Sequence, residues 1–273
     1  YFTFGLFPQY KYNNLIIYGK LNIYYDYFLK CGSIDECEFT ESGIYANWES
    51  KNDILEKFHL KYNHSDYNNS LTVYAGEIPK VTFGHGYLVN NFSNYYEYPL
   101  RSDFGLNIDW KIDNDFMNLQ FVVPSFREYF RNGGIFGMHT SLFFSHRFPL
   151  TLGFGLMVDI NQFSQAPRIY DVDSNAKKRT IHAAEFDFTL DVLRRIDLDI
   201  SLYGEFVGIW YPENIYYFRS DGLMPFGDDM RWRKGTWGIM APGISIKVNN
   251  KHEINFAFNF NSAAFYPSYF NSN

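Results

Sequence analysis

Apolar and polar residues alternate one by one through most of this chain, most regularly in residues 135–160, IFGMHTSLFFSHRFPLTLGFGLMVDI. In the second half Leu150, Leu152, Phe154, Leu156, Val158 and Ile160 share one parity, and Thr151, Gly153, Gly155, Met157 and Asp159 the other. Side chains two apart lie on one strand face, so the pattern predicts a β-strand with an apolar face and a small or polar face. The first half repeats it, with Phe136, Met138, Leu142 and Phe144 against Gly137, His139, Ser141 and Ser145. Around Arg147-Phe148-Pro149 the alternation breaks, and a proline without an N–H to give to a ladder suits a tight connection. Each arm runs for about 10–12 residues, the length a tilted strand needs to cross a bilayer, against about 5–6 in globular domains.

The same pattern predicts strands along the rest of the chain. A first strand covers residues 1–7, and 8–14 reads as a turn before a strand over 15–29. Residues 30–52 read as a long loop, and 54–61 and 71–78 as a pair joined across 62–66. An irregular stretch, 79–101, leads to strands 103–112 and 117–123, and a third long segment, 124–134, to the central hairpin. Beyond it come a long loop (161–180), a hairpin of 182–192 and 196–210, a loop over 211–235, and a pair of 236–248 and 252–260. Connections therefore alternate between short and long. Some twelve strands joined in this way predict one all-β domain over residues 1–273, an antiparallel up-and-down transmembrane β-barrel. A soluble sandwich has turn signals every 8–12 residues or so, without two-sided bias in loop length.

In a membrane barrel the apolar parity faces lipid and the polar parity the interior. The inward set then includes Asp109, Lys111, His139, Ser141, Asp159, Glu185, Asp187, Asp191, Asp197, Asp199 and Glu205. So many carboxylates point to a watered lumen rather than the apolar interior of a lipocalin-like cup. Carboxylates outnumber Lys and Arg in this set, which predicts mild cation preference.

Composition sharpens this picture in places. Aromatics make up 21% of the chain, 23 Tyr and 29 Phe among them, which fits aromatic girdles at membrane interfaces or a glycan-binding surface. No apolar run approaches the roughly 18 residues of a membrane helix. The net charge of −6 argues against nucleic acid as a partner. Cys31 and Cys37, in CGSIDEC, can close a short disulfide in an oxidising compartment, and their spacing fits zinc poorly. No metal and no cofactor is expected. The opening YFTFGLF already alternates, so the start reads as mature or trimmed.

These residues resemble bacterial outer-membrane β-barrel proteins of the porin-like kind, through alternation and loop lengths over nearly the whole chain. The resemblance implies the outer membrane of a didermic bacterium, outer-membrane lipids and lipopolysaccharide as surroundings, and small solutes as cargo. Oligomeric state has no signal in the pattern. Such proteins usually end in a strand with a terminal aromatic, whereas this chain ends FYPSYFNSN. Twelve strands are therefore a lower bound, with 14–16 expected of a longer protein.

Enzyme signatures are few. His139-Thr140-Ser141 sets an imidazole and a hydroxyl two apart on one strand face, where a base can take the serine proton. The pair is similar to the His-x-Ser of outer-membrane phospholipase A, which implies a lipid hydrolase with an Asn orienting the His. Here Gly153 and Gly155 stand opposite instead, and the parity turns His139 and Ser141 toward the interior, so lumen lining is favoured. The stretch FGHGYLVNNFSNYY, centred on His85, reads as an external loop or further strand pair, with a constriction loop inside the barrel as the functional alternative. Arg231-Trp232-Arg233-Lys234 reads as a solvated loop edge or a contact for lipopolysaccharide headgroups. A porin-like channel is the leading expectation, and the hydrolase and a glycan-binding surface protein are the alternatives.

Overall fold

A computed structural model of the chain describes residues 2–19, 21–33, 36–46, 58–96, 101–102, 104–114, 116–130, 133–145, 147–160, 180–195, 197–211, 216–219, 222–225, 235–249, 251–262, 265, 267–268 and 270. In 2–5, 21–33, 36–46, 95–96, 101–102, 128, 130, 216–219 and 222–225 it describes the backbone alone. Among the described residues, nineteen strands and one short helix form in the order β1 (Phe2–Leu6), β2 (Gln9–Tyr12), β3 (Leu15–Gly19), β4 (Leu21–Ser33), β5 (Glu36–Ala46), β6 (Phe58–Ser65), β7 (Ser70–Gly76), β8 (Tyr95–Tyr96), β9 (Arg101–Ser102), β10 (Gly105–Ile112), β11 (Met117–Val123), α1 (Phe126–Phe130), β12 (Ile135–Phe143), β13 (Leu150–Asp159), β14 (Ile181–Arg194), β15 (Leu198–Trp210), β16 (Tyr216–Arg219), β17 (Gly222–Pro225), β18 (Gly235–Val248) and β19 (His252–Asn261).

Twelve of these strands make one antiparallel up-and-down sheet, β2-β3-β6-β7-β10-β11-β12-β13-β14-β15-β18-β19. The sheet is not closed: β2 and β19 are its edges. Short connections alternate with long ones from β2 to β19, as the sequence predicts. The tight turns use residues that tolerate a left-handed backbone: Asp113 and Asn114 (φ 52° and 53°) between β10 and β11, and Asn249 (φ 51°) after β18.

The boundaries differ from the sequence reading in several places. The strand read over 15–29 divides into β3, in the twelve-stranded sheet, and β4, which pairs with β1 and β5 in a separate sheet, and the loop read over 211–235 contains the pair β16 and β17. Residues 9–12, read as turn, form β2 against β3. Residues 30–52, read as loop, contain the end of β4 and all of β5, a hairpin whose register shifts at Phe28/Leu29 and Cys31/Ser33 break the alternation that a reader relies on. The turn placed at 62–66 lies at 66–69, where Asp66 Oδ1 accepts from the backbone N–H groups of Asn68 (3.0 Å) and Asn69 (2.7 Å). These bonds, Asn69 first, hold the Asp66 carboxyl below its usual range. The stabilisation is present above the unfolded pKa and is lost as pH falls through the folded one.

Burial follows the predicted parities. Phe154, Phe186 and Phe206 are direct neighbours on β13, β14 and β15 and are 44%, 45% and 47% exposed. Trp110, Leu142, Leu202, Ile244 and Phe256 are exposed on the same face, while His139, Glu185, Asp187 and Glu205 are buried on the other. A soluble sheet has the opposite arrangement.

The inner face is covered by the connection after β7. Ile78, Val81, Phe83, Leu88, Val89 and Phe92 are buried there, joined by Val122, Met157, Ile181, Val207, Ile209, Phe265 and Phe270. This segment bonds β7 through Asn94 and β19 through Tyr87, whose hydroxyl donates to Asn261 Oδ1. Those strands are eight places apart in the sheet order. A flat sheet would separate them by about 38 Å at 4.8 Å per strand, so the sheet curls around the segment.

Phe83 is fully buried against this face, so Phe83→Ala should lower stability by about 3–5 kcal/mol. Phe144→Ala, at an exposed position, should cost far less. Denaturant midpoints of the two variants check this, and equal shifts would contradict a core formed by the inserted segment.

Candidate functional site inside the sheet

The inserted segment is held at three levels. At its base the buried Asn94 side chain accepts from the Ile78 N–H (2.7 Å) and donates to the carbonyls of Gly76 (2.8 Å) and Pro124 (3.0 Å). An antiparallel bridge, Val81 to Phe92, ties its two limbs. At its tip Glu205 of β15 takes three backbone donors: the His85 N–H on Oε2 (2.8 Å), and the Tyr87 (3.1 Å) and Leu88 (3.2 Å) N–H groups on Oε1. Gly84 (φ 49°) and Gly86 (φ 86°) provide the left-handed backbone that turns these amides toward one carboxylate. The tail supports the tip from the far side, with Ser268 N–H on the Tyr87 carbonyl (2.7 Å) and Ser268 Oγ on that of Gly86 (3.0 Å).

His85 therefore lies against the inner face of the curled sheet. Its Nε2 is 3.2 Å from the Phe188 carbonyl and 3.1 Å from the Thr189 hydroxyl, and its ring packs on Tyr203. Burial holds this imidazole below its usual range, with the Phe188 carbonyl and Asp187 carboxylate pulling the other way. Below His85, toward the short turns, lies a cavity of about 450 Å³ whose lining includes Thr189, Asp191, Tyr203, Lys247, Glu253 and Asn255.

Above the cavity the buried groups converge. His139 Nε2 donates to Asp187 Oδ2 at 2.9 Å and lies 3.8 Å from Glu185 Oε1. His139 belongs to β12 and the acids to β14, with β13 between them. Gly153 and Gly155 make the reach possible: a Cβ on them would lie 2.0 Å from Asp187 Oδ2 and 2.3 Å from Glu185 Oε1. The space that side chains at Gly153 and Gly155 would take is thus filled by two carboxylates. Phe83 of the inserted segment stacks on the His139 ring at 5.5 Å and covers it. Glu185 is 1% exposed and Glu205 2%.

The residues named from sequence fall into three groups. His139, Glu185, Asp187 and Glu205 come together, buried beneath the inserted segment rather than lining open water. Ser141 is half-buried on the same face, but His139 turns its Nε2 to Asp187, so the pair does not present the hydrogen bond of a nucleophile and its base. Asp109, Asp159 and Asp199 are half-buried and Lys111 is exposed, at register positions away from the cluster. Cys31 and Cys37 are register partners across the β4–β5 hairpin, and their side chains lie outside the described residues. Arg231-Trp232-Arg233-Lys234 also lies outside them.

Sequence reasoning missed the Asn94 latch and the grouping of His139 with Glu185 and Asp187. The parity put both acids on the His139 face, but which acid reaches across β13 depends on register. Two glycines directly opposite His139 and Ser141 were the available signal.

No family model, curated protein or solved structure matches the chain.

Glu205→Ala removes the carboxylate acceptor of three backbone N–H groups, two of them buried, and should cost about 3–5 kcal/mol. Hydrogen exchange should show protection lost at residues 85, 87 and 88, with Glu253→Ala as a control that leaves it intact. Unchanged protection in Glu205→Ala would mean that the carboxylate does not hold the tip.

Proposed function

We propose that this chain is an integral outer-membrane β-barrel protein of a didermic bacterium, a porin-like channel in which residues 78–94 form the constriction. The observation that carries the reading is the inversion of the sheet's faces. Phe154, Phe186 and Phe206 form an exposed row across three strands while Glu185, Asp187 and Glu205 are buried behind them. Water penalises such a row, whereas the hydrocarbon of a bilayer accepts it, with outer-membrane lipids and lipopolysaccharide as the partners of that face. In the membrane β2 and β19 would have to pair, because an open sheet edge has no hydrogen-bond partners in lipid.

Small solutes would enter through the cavity at the short-turn end and pass the tip at His85. Asp191 and Glu253 against Lys247 there support mild cation preference. With the segment in place the conductance should be small, and removing its anchor should raise it.

Planar-bilayer recordings test this. Wild type should give small, cation-preferring conductances and Glu205→Ala larger ones. No channel activity in either, or anion preference, would overturn the channel. Solubility without detergent would overturn the membrane reading itself. In the same setting Phe186→Arg, which places a charge on the lipid face, should cost about 2–4 kcal/mol at the bilayer midplane. Refolding into vesicles measures that loss.

A further inference from the structure

We propose that His139, Glu185 and Asp187 hold one divalent first-row transition cation of the Zn²⁺, Mn²⁺ or Fe²⁺ kind inside the sheet. Nε2 of His139 and one carboxylate oxygen from each acid all lie within 4.8 Å of one another. The His139 nitrogen is 2.9 Å from the Asp187 oxygen and 3.8 Å from the Glu185 oxygen. Ligand bonds of about 2.0–2.2 Å set donor atoms at such separations around a single ion. All three side chains are buried.

The independent observation is Glu185. Both its carboxylate oxygens are buried and neither has a hydrogen-bond donor. Glu205, the nearest comparable acid, is satisfied by three backbone N–H groups. Glu185 receives nothing of the kind, although it points into the same cluster. A buried carboxylate without donors needs a cation or a proton.

Charge favours the cation. Two ionised carboxylates and a neutral imidazole around M²⁺ sum to zero, which a water-poor interior tolerates. Among the described residues no Lys or Arg forms an ion pair with Glu185 or Asp187. The donor set narrows the metal: an imidazole argues against Mg²⁺ and Ca²⁺, and the lack of thiolate against Cu⁺. Gly153 and Gly155 leave the space in which the carboxylates of β14 meet the imidazole of β12. The alternative is a proton held between Glu185 and Glu205, two buried acids on the neighbouring strands β14 and β15.

The test uses the untagged full chain, refolded in detergent, stripped with chelator, equilibrated with Zn²⁺ or Mn²⁺ and desalted. Wild type should retain about one equivalent per chain and melt higher than the stripped protein. Cobalt should give the visible absorption of a bound N/O site, and zinc X-ray absorption should show a shell of nitrogen and oxygen only. Glu185→Gln and Asp187→Asn should lose the retained metal, and His182→Ala, on the exposed face of β14, should keep it. If the variants fail to fold, the wild-type stoichiometry and spectra decide alone. Wild type that retains no metal overturns the proposal and leaves the shared proton, as does binding that survives Glu185→Gln in a folded protein. A chain that conducts ions but retains no metal overturns this proposal and leaves the channel standing.

Discussion

A carboxylate withdrawn from water must be given hydrogen-bond donors, and much of this structure follows from where Glu205 finds them. Three come from the backbone at His85, Tyr87 and Leu88, in a segment that starts more than a hundred residues earlier in the chain. Holding that segment against β15 spreads its apolar side chains over the inner face, where Phe83 covers His139. The same anchor sets His85 over the cavity and keeps Glu185 and Asp187 from water. One interaction therefore links the shape of the interior, the burial of its charges and the width of any passage through it.

The interior is mixed rather than simply polar. An apolar cluster from the inserted segment and the tail fills part of it, and a group of acids with one histidine fills another part. The two meet at the tip of the segment. This division explains how a sheet with carboxylates facing inward has a packed core: the segment adds apolar surface to the few apolar residues, such as Val122, Met157, Ile181 and Val207, that the strands turn inward. The exposed row Phe154, Phe186 and Phe206 is the other side of that division, an apolar surface on the outer face of the sheet.

Much of this was legible in one dimension. The parity of residues 150–160 put Phe154 outward, and the same reasoning put His139, Glu185, Asp187 and Glu205 inward, where they lie. Alternation could be read because each long strand has an apolar face and a polar face, whatever its neighbours. It failed where that contrast is absent or interrupted, as in β5, with its register shifts, and in β2, four residues long and exposed throughout. Residues 78–94 were the largest gap. Val81, Phe83, Tyr87 and Val89 alternate as a strand would, but they pack as irregular chain fixed by Asn94 and Glu205.

The sequence by itself determined the all-β antiparallel class of fold, the alternation of short and long connections, and the face on which the residues of the long strands from β10 onward lie, because these depend on a period of two and on local turn chemistry. Tertiary structure alone decided that the connection after β7 turns inward, that Glu205 holds it, and that His139 reaches Asp187 and Glu185 over two glycines. Those outcomes depend on register between strands and on which distant backbone offers its N–H groups to a buried acid. Both are properties of the assembled sheet, and no periodicity encodes them.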